Sequence, residues 1–360
     1  MPSFKQPFPF QGDTLNADDL KPIEYAEPEK QREPDPDPAK SLQARYTERE
    51  PSENLEYEEN EDGETCTVTG IGDCEDTELI IPKAIDGYTV TGIGDYAFAD
   101  CSELSHVVIP DCVTHIGDRA FESCTGLSKI FIPAGVESIG EKAFADGIAQ
   151  IEVSLRNPNY LSIDGNLYSG DGKTLIQYAA GKKDSFFAIP DGVSLIGNYA
   201  FFGSALSDVE IPESVTAIGE GAFLSCSRLT SLVIPDSVGE IGRSAFADCK
   251  GLVTIVLPYC LKRIDERAFE GCICLKSFSI PGGVTSIGMR AFASCRSLAS
   301  VIVPESVTRI EKFAFFGTDR LTKLRYTGAA AQWQEIDLHE DWAGFSEISA
   351  ILSASGEIKL

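Results

Sequence analysis

The stretch LTSLVIPDSVGEIGRSAFADC, Leu229 to Cys249, decides the fold, because its pattern returns along the chain at a fixed spacing. The pair Ala-Phe ends at Phe98, Phe121, Phe144, Phe201, Phe223, Phe246, Phe269, Phe292 and Phe315, with gaps of 23, 23, 57, 22, 23, 23, 23 and 23 residues. An aliphatic residue before proline keeps the same period at Ile109, Ile132, Ile189, Ile211, Ile234, Leu257, Ile280 and Val303. Two independent markers with one period define a repeat of about 23 residues, and a period of that size is the signature of a solenoid.

Within the unit, Leu232 and Ile234 share one face of a short strand and Val233 takes the other. Proline has no N–H for the ladder and stops the strand. The following V-x-x-I-G predicts a second short extended stretch, and A-F-x-x-C a tight turn or a single helical turn. No unit can bury its own apolar face, so successive units must stack, at ~4.8 Å per coil. Ten coils are expected, with the recurrent Phe as an internal column. The Gly of Ile-Gly reads as a residue demanded by a turn, and Asp265 and Glu311 replace it in two units.

Outward from the repeats, the regularity breaks over 154–185, where Asp164-Gly165 and Asp171-Gly172 lie between apolar runs. That is hairpin chemistry, and it predicts a β insertion that stays in the stack. Residues 327–360 lose both markers and carry the only two Trp, Trp333 and Trp342, which reads as a cap over the exposed edge. Residues 54–97 read as an N-terminal cap with the first repeat, and 98–326 as the solenoid. Residues 1–53, with Pro34, Pro36 and Pro38 among acidic residues, show neither helical nor strand periodicity and are expected to be a disordered tail.

The unit I-P-x-x-V-x-x-I-G-x-x-A-F-x-x-C resembles the BspA-like, Treponema-type leucine-rich-repeat family, and the resemblance spans residues 54 to about 350. It implies a leucine-rich-repeat solenoid of short parallel strands, mostly β with irregular turns and a few short helical turns. It also implies a bacterial cell-surface or secreted protein that binds proteins or other cells. The start MPSFKQPFPFQGDTLNADD shows neither the basic start with an apolar run nor the cleavage site of a secretory signal, so the compartment stays open.

Thirty basic against 56 acidic residues give a net charge of -26, of which -10 falls within residues 1–62. That balance repels nucleic acid and anionic membranes, and no run approaches the roughly 20 apolar residues of a membrane span. Nucleic acid and membrane insertion are therefore not expected. Of the 11 cysteines, Cys101, Cys124, Cys226, Cys249, Cys272 and Cys295 sit three residues after the repeat Phe, where Gly147, Ser204 and Thr318 also stand. The position reads as selected for small size. Cys66 and Cys74 lie outside the repeats and leave a bridge open. No cysteine or histidine pattern fits zinc, and His106, His115 and His339 show no catalytic context. The acidic residues after proline, Asp111, Asp191, Glu213, Asp236 and Glu305, read as a solvated edge rather than a calcium site.

No cofactor, metal or catalytic residue is expected, and the chain reads as non-enzymatic. The informative surface is the outward face of the strand before proline. Its apolar members Val108, Phe131, Val233, Val256 and Ile302 are the candidate partner-binding residues, though β-branched residues suit strands even when exposed. The leading expectation is a protein-interaction or adhesion module. The alternative is a structural or intracellular scaffold, and a glycan ligand fits less well because aromatic residues on that face are few.

Overall fold

Coils meet through three parts of the repeat, and strand pairing runs in segments along the stack, as where Glu240–Ile241 ends one sheet and Arg263–Ile264 begins another. The computed structural model describes residues 49–144, 147–344 and 346–359; of the tail expected over 1–53, residues 1–48 lie outside the described residues, and Ser52 is buried against the first coil. The first contact is the strand before proline. Ser231–Val233 runs parallel to Thr254–Val256, and Ser277–Ser279 to Ser300–Val303, each in register. Leu232 and Ile234 are buried while Ser231 and Val233 are exposed, which is the period-two alternation of a sheet with one wet face. Past the strand the proline carbonyl accepts the N–H of the Val three residues on, as Pro235 does from Val238 at 3.1 Å.

The second contact is V-x-x-I, whose last two residues pair in parallel from coil to coil: Leu195–Ile196, Ala217–Ile218 and Glu240–Ile241 are successive members. The glycine after the Ile is not held by a turn. Gly117 has an ordinary backbone, yet a Cβ there would lie 2.5 Å from the backbone of Gly94 and Asp95, and at Gly140 one would lie 2.4 Å from the Asp118 nitrogen. Close approach of one coil to the one before sets the requirement. Nothing in the structure explains how Asp265 and Glu311 fit the same position.

The third contact is the Ala-Phe turn. It is neither strand nor helix: the residue before Ala and the residue two after Phe both take a left-handed conformation, as at Arg267 and Gly271 or Arg290 and Ser294. Alternate N–H groups therefore point at the next coil. Ser244 donates to Glu266, Phe246 to Ala268 and Asp248 to Glu270, at 2.7 to 2.9 Å. All these donors face the C-terminal end of the stack. Inside, the Phe rings form the expected column, with Phe223, Phe246, Phe269, Phe292 and Phe315 stacked at 5.3 to 5.5 Å.

The chain is a β-solenoid of about 12 turns with almost no helix. The excess over ten comes from the insertion and the cap. Tyr160–Ile163 and Asn166–Ser169 form an antiparallel hairpin over Asp164-Gly165, both left-handed, and Thr174–Gln177 then joins the V-x-x-I column beside Leu195–Ile196. Tyr178 takes the Phe position and packs on Phe201 at 5.5 Å. The hairpin also divides the core, since neighbouring Leu167 and Tyr168 belong to different buried clusters.

Both ends close with antiparallel strands. At the N-terminal edge Glu56–Glu59 pairs with Thr65–Gly70, and Ser52, itself buried, accepts from Ile80 through its hydroxyl at 3.0 Å. At the other, Gly356–Lys359 folds back on Ala350–Ser353, and the five-residue helix Ala330–Gln334 brings in buried Trp333.

Candidate partner-binding face

The outward side chains of the strands before proline form two rows, one from the first strand residue and one from the third. In the third-residue row Ile80 pairs with Val108, Phe131 with Glu152, Ala188 with Glu210, Val233 with Val256, Ser279 with Ile302, and Ile302 with Arg325. Of the five residues expected from sequence, Val233 and Val256 are strongly exposed, at 65% and 57%, and stand side by side. Val108, Phe131 and Ile302 are half-buried. Val108 and Phe131 lie on coils before the insertion, and Ile302 is separated from Val256 by Ser279. The five therefore fall in three places, with the densest apolar patch at Val233 and Val256.

Two exposed aromatics border that patch. Phe186, in the first-residue row, is 50% exposed, and Tyr259, three residues past Val256, is 71% exposed. The sequence reading followed only the residue just before the aliphatic-proline pair. The first-residue row carries the same outward orientation, and applying the period of two once more would have found Phe186. A groove of about 410 Å³ runs between Phe186, Asp208, Glu210, Glu213, Val233 and Pro235. The patch is thus apolar with an acidic flank toward the N-terminal end of the chain.

The cysteine ladder has chemistry besides small size. Each buried thiol donates to the carbonyl of the repeat Phe one coil earlier: Cys226 to Phe201, Cys249 to Phe223, Cys272 to Phe246 and Cys295 to Phe269, at 3.0 to 3.2 Å. Thr318, in the same place, donates to Phe315 of its own coil, and Ser204 lies 3.4 Å from the Cys226 thiol. The alternates Gly, Ser and Thr keep the small size, and the bond to the coil before belongs to the thiols. All 11 cysteines are free. Burial pushes the Cys124 and Cys295 thiols from an ordinary 9.0 up to about 12, and the Tyr168 and Tyr178 hydroxyls from 10.0 up to about 12.

These raised values make a linkage prediction. The folded state holds the protonated forms, so their contribution is complete below pH 9 and is lost as pH rises from there toward about 12. Thermal melts should be flat from neutral pH to about 9 and then fall steeply. A melting temperature constant through that window would contradict burial-driven shifts.

The histidines stay apart. His115 Nδ1 meets the Ser138 hydroxyl at 2.7 Å, His339 Nδ1 accepts from the Asp341 backbone at 3.1 Å, and burial lowers the pKa of His106. Among the described residues no group of three His, Cys, Asp or Glu is placed to hold a metal ion, and no helix is long and apolar enough to cross a membrane. The five acidic residues after proline are all exposed.

The repeat, read against known sequences, matches the BspA type leucine rich repeat region in six copies, over residues 73–174, 180–281 and 218–335. The chain belongs to that family. No curated protein matches it. Among solved structures it is similar to a leucine-rich repeat protein from Eubacterium ventriosum, at 22% identity and a TM-score of 0.62, over 85% of this chain and 98% of that one. The pneumococcal vaccine antigen PcpA is similar at 21% identity and a TM-score of 0.53, over 77% of this chain and 66% of that one. Both share the fold. A leucine rich cell surface protein of Faecalibacterium prausnitzii aligns at 26% identity over 81% of this chain and 98% of its own, with a TM-score of 0.49. Leucine-rich repeats of this type are in general protein-interaction modules without enzymatic activity.

Proposed function

We propose that this BspA-type solenoid is a non-enzymatic adhesion module that binds a protein partner on the outward face of the strands before proline. The observation that carries the reading is the paired exposure of Val233 and Val256 on a rigid ladder, bordered by Phe186 and Tyr259. Val233 and Val256 on neighbouring coils, Tyr259 just past Val256, and Phe186 across the groove two coils before Val233 make a patch of the kind that marks interaction sites, and a rigid sheet loses little entropy on docking. Half-buried Val108, Phe131 and Ile302 extend the contact for a partner long enough to reach them. Family membership supports protein interaction in general; a place at the cell surface is our extension of it.

The test is retention of beads carrying the protein on an immobilised cell-surface protein fraction. The double change Val233→Asp with Val256→Asp should lower retention about tenfold or more, as loss of central apolar anchors does, and protease treatment of the fraction should do the same. Both sites are exposed, so the melting temperature should hold. Retention indifferent to both treatments would leave the scaffold reading in its place.

A further inference from the structure

The coils from Cys226 to Arg325 reverse the charge of the protein. They hold 14 basic and nine acidic side chains, net +5, inside a chain of net charge -26. Part of this basic set is neutralised where it stands. Arg243 pairs with Glu266 at 2.9 Å, Arg267 and Arg290 reach Glu270, and Arg309 reaches Glu311. Arg263, Lys312 and Lys323 pair with Asp265, Asp341 and Glu357, and five of the remaining seven are gathered on one edge.

That edge is the linker between the Ala-Phe turn and the strand before proline. Five successive linkers, 227–230, 250–253, 273–276, 296–299 and 319–322, carry Arg228, Lys250, Lys276, Arg296 and Arg320, with Asp319 as the only carboxylate. The equivalent linkers 102–105, 125–128 and 205–207 carry no basic residue and one carboxylate, Glu103. All five cations are exposed, and among the described residues none makes an ion pair. Two of the four joints between these linkers are tied by backbone hydrogen bonds, Val253 donating to Thr230 and Ala299 to Lys276, both at 2.9 Å. Beside them the exposed first-residue row presents hydroxyls, Ser231 paired with Thr254 and Ser277 with Ser300.

We infer that this edge binds a linear acidic polysaccharide with about one carboxylate or sulfate per sugar, laid along the stack from Arg228 to Arg320. The charges of the ligand meet the five cations, and its hydroxyls meet the Ser and Thr row. Long flexible stems let Lys and Arg heads adjust along the axis. At physiological ionic strength the Debye length is about 8 Å, less than two coil spacings of ~4.8 Å, so a ligand on these coils feels the local balance rather than the total.

Other polyanions fit less well. An extended acidic peptide turns same-side residues every ~6.8 Å, out of step with ~4.8 Å coils. Single-stranded nucleic acid is held through base stacking on aromatic platforms, and the five linkers contain no aromatic residue. The site rests on cations separate from the apolar patch of the protein partner; Val233→Asp and Val256→Asp would place carboxylates two residues from Ser231 and Thr254 and should weaken this binding modestly.

The experiment uses the full chain and fluorescently labelled chondroitin sulfate, titrated between about 50 and 200 mM salt. Binding should weaken with salt. The combined Arg228→Glu, Lys250→Glu and Arg296→Glu variant should lose affinity about tenfold or more, since each contact releases counterions. A control with the same charge change elsewhere, Lys83→Glu, Lys173→Glu and Lys183→Glu, should stay within about twofold. If the triple variant melts early, the single Lys250→Glu and Arg296→Glu should each show a loss of about threefold. Absence of binding at low salt, or equal losses in both triple variants, overturns the site. Competition by poly-glutamate or oligothymidylate as strong as by unlabelled chondroitin sulfate overturns the polysaccharide in favour of that competitor's class.

Discussion

Phe246→Ala is expected to lower the melting temperature by about 10 °C, through a loss of about 3 to 5 kcal/mol. Phe246 is fully buried and stacked between Phe223 at 5.3 Å and Phe269 at 5.4 Å, with interplanar angles of 13° and 7°. Removing the ring opens a void that neighbours cannot fill, because the coils on both sides are tied to this one by the backbone hydrogen bonds of the Ala-Phe turn, Phe223 to Ala245 and Phe246 to Ala268. In a solenoid each coil touches only its neighbours, so two interfaces weaken at once. Phe144 supplies the comparison. Its ring stacks on Phe121 at 6.0 Å, and on its other side the core divides at the insertion. Phe144→Ala should therefore cost less than Phe246→Ala. Calorimetry of both variants checks the order, and a Phe246→Ala melt matching the parent protein would refute the column.

The column was legible in the sequence because a ring at every twenty-third residue has no other place to go. The strand before proline was legible for a similar reason: alternation and a missing donor act locally. The Ala-Phe segment was legible as a tight turn or a single helical turn, but its backbone conformation was not. Its left-handed residues alternate with right-handed ones, and helix and strand periodicities both fail on such a backbone. A signal did exist. The residue two after Phe is Asp100, Ser123, Asp146, Gly203, Ser225, Asp248, Gly271, Ser294 or Gly317, the types that tolerate or locally satisfy a left-handed conformation. The cysteine ladder was half legible. Its alternates Gly, Ser and Thr revealed size, whereas the carbonyl each thiol meets belongs to another coil and is invisible until the register is known.

The face was legible only by position. Pattern places Val108, Phe131, Val233, Val256 and Ile302 on one side of the strands, but exposure depends on what the neighbouring coil offers. Val233 and Val256 stand proud while Val108, Phe131 and Ile302 are half covered. Charge was legible only as a sum. A total of -26 argues against nucleic acid and anionic membranes, and only stacking shows that five cations from five repeats share an edge. In a solenoid, sequence separation of about 23 residues is spatial adjacency, so local composition along the chain matters more than the sum.

Trp342→Ala is the second large effect and tests how the stack ends. The turn donors all face the C-terminal end, so the last coil would leave N–H groups bare unless the cap supplies carbonyls. It does: Phe313 donates to Asp341 at 2.9 Å and Phe315 to Trp342 at 3.2 Å. The Trp342 indole closes the column at the same point, edge-on to Phe315 at 5.9 Å and against Trp333 at 6.0 Å. Losing it should cost about 3 to 5 kcal/mol and uncover the Phe315 ring. The last coils then open before the rest, because terminal repeats have one neighbour instead of two. An uncovered ladder end with an apolar ring is a template for another chain, so the variant should associate as its concentration rises while the parent protein does not change. Light scattering across a dilution series, with melts at each concentration, reads both consequences. A variant with the parent's melting temperature and no growth in size would show that the hairpin Ala350–Ser353 and Gly356–Lys359 closes the stack without the indole.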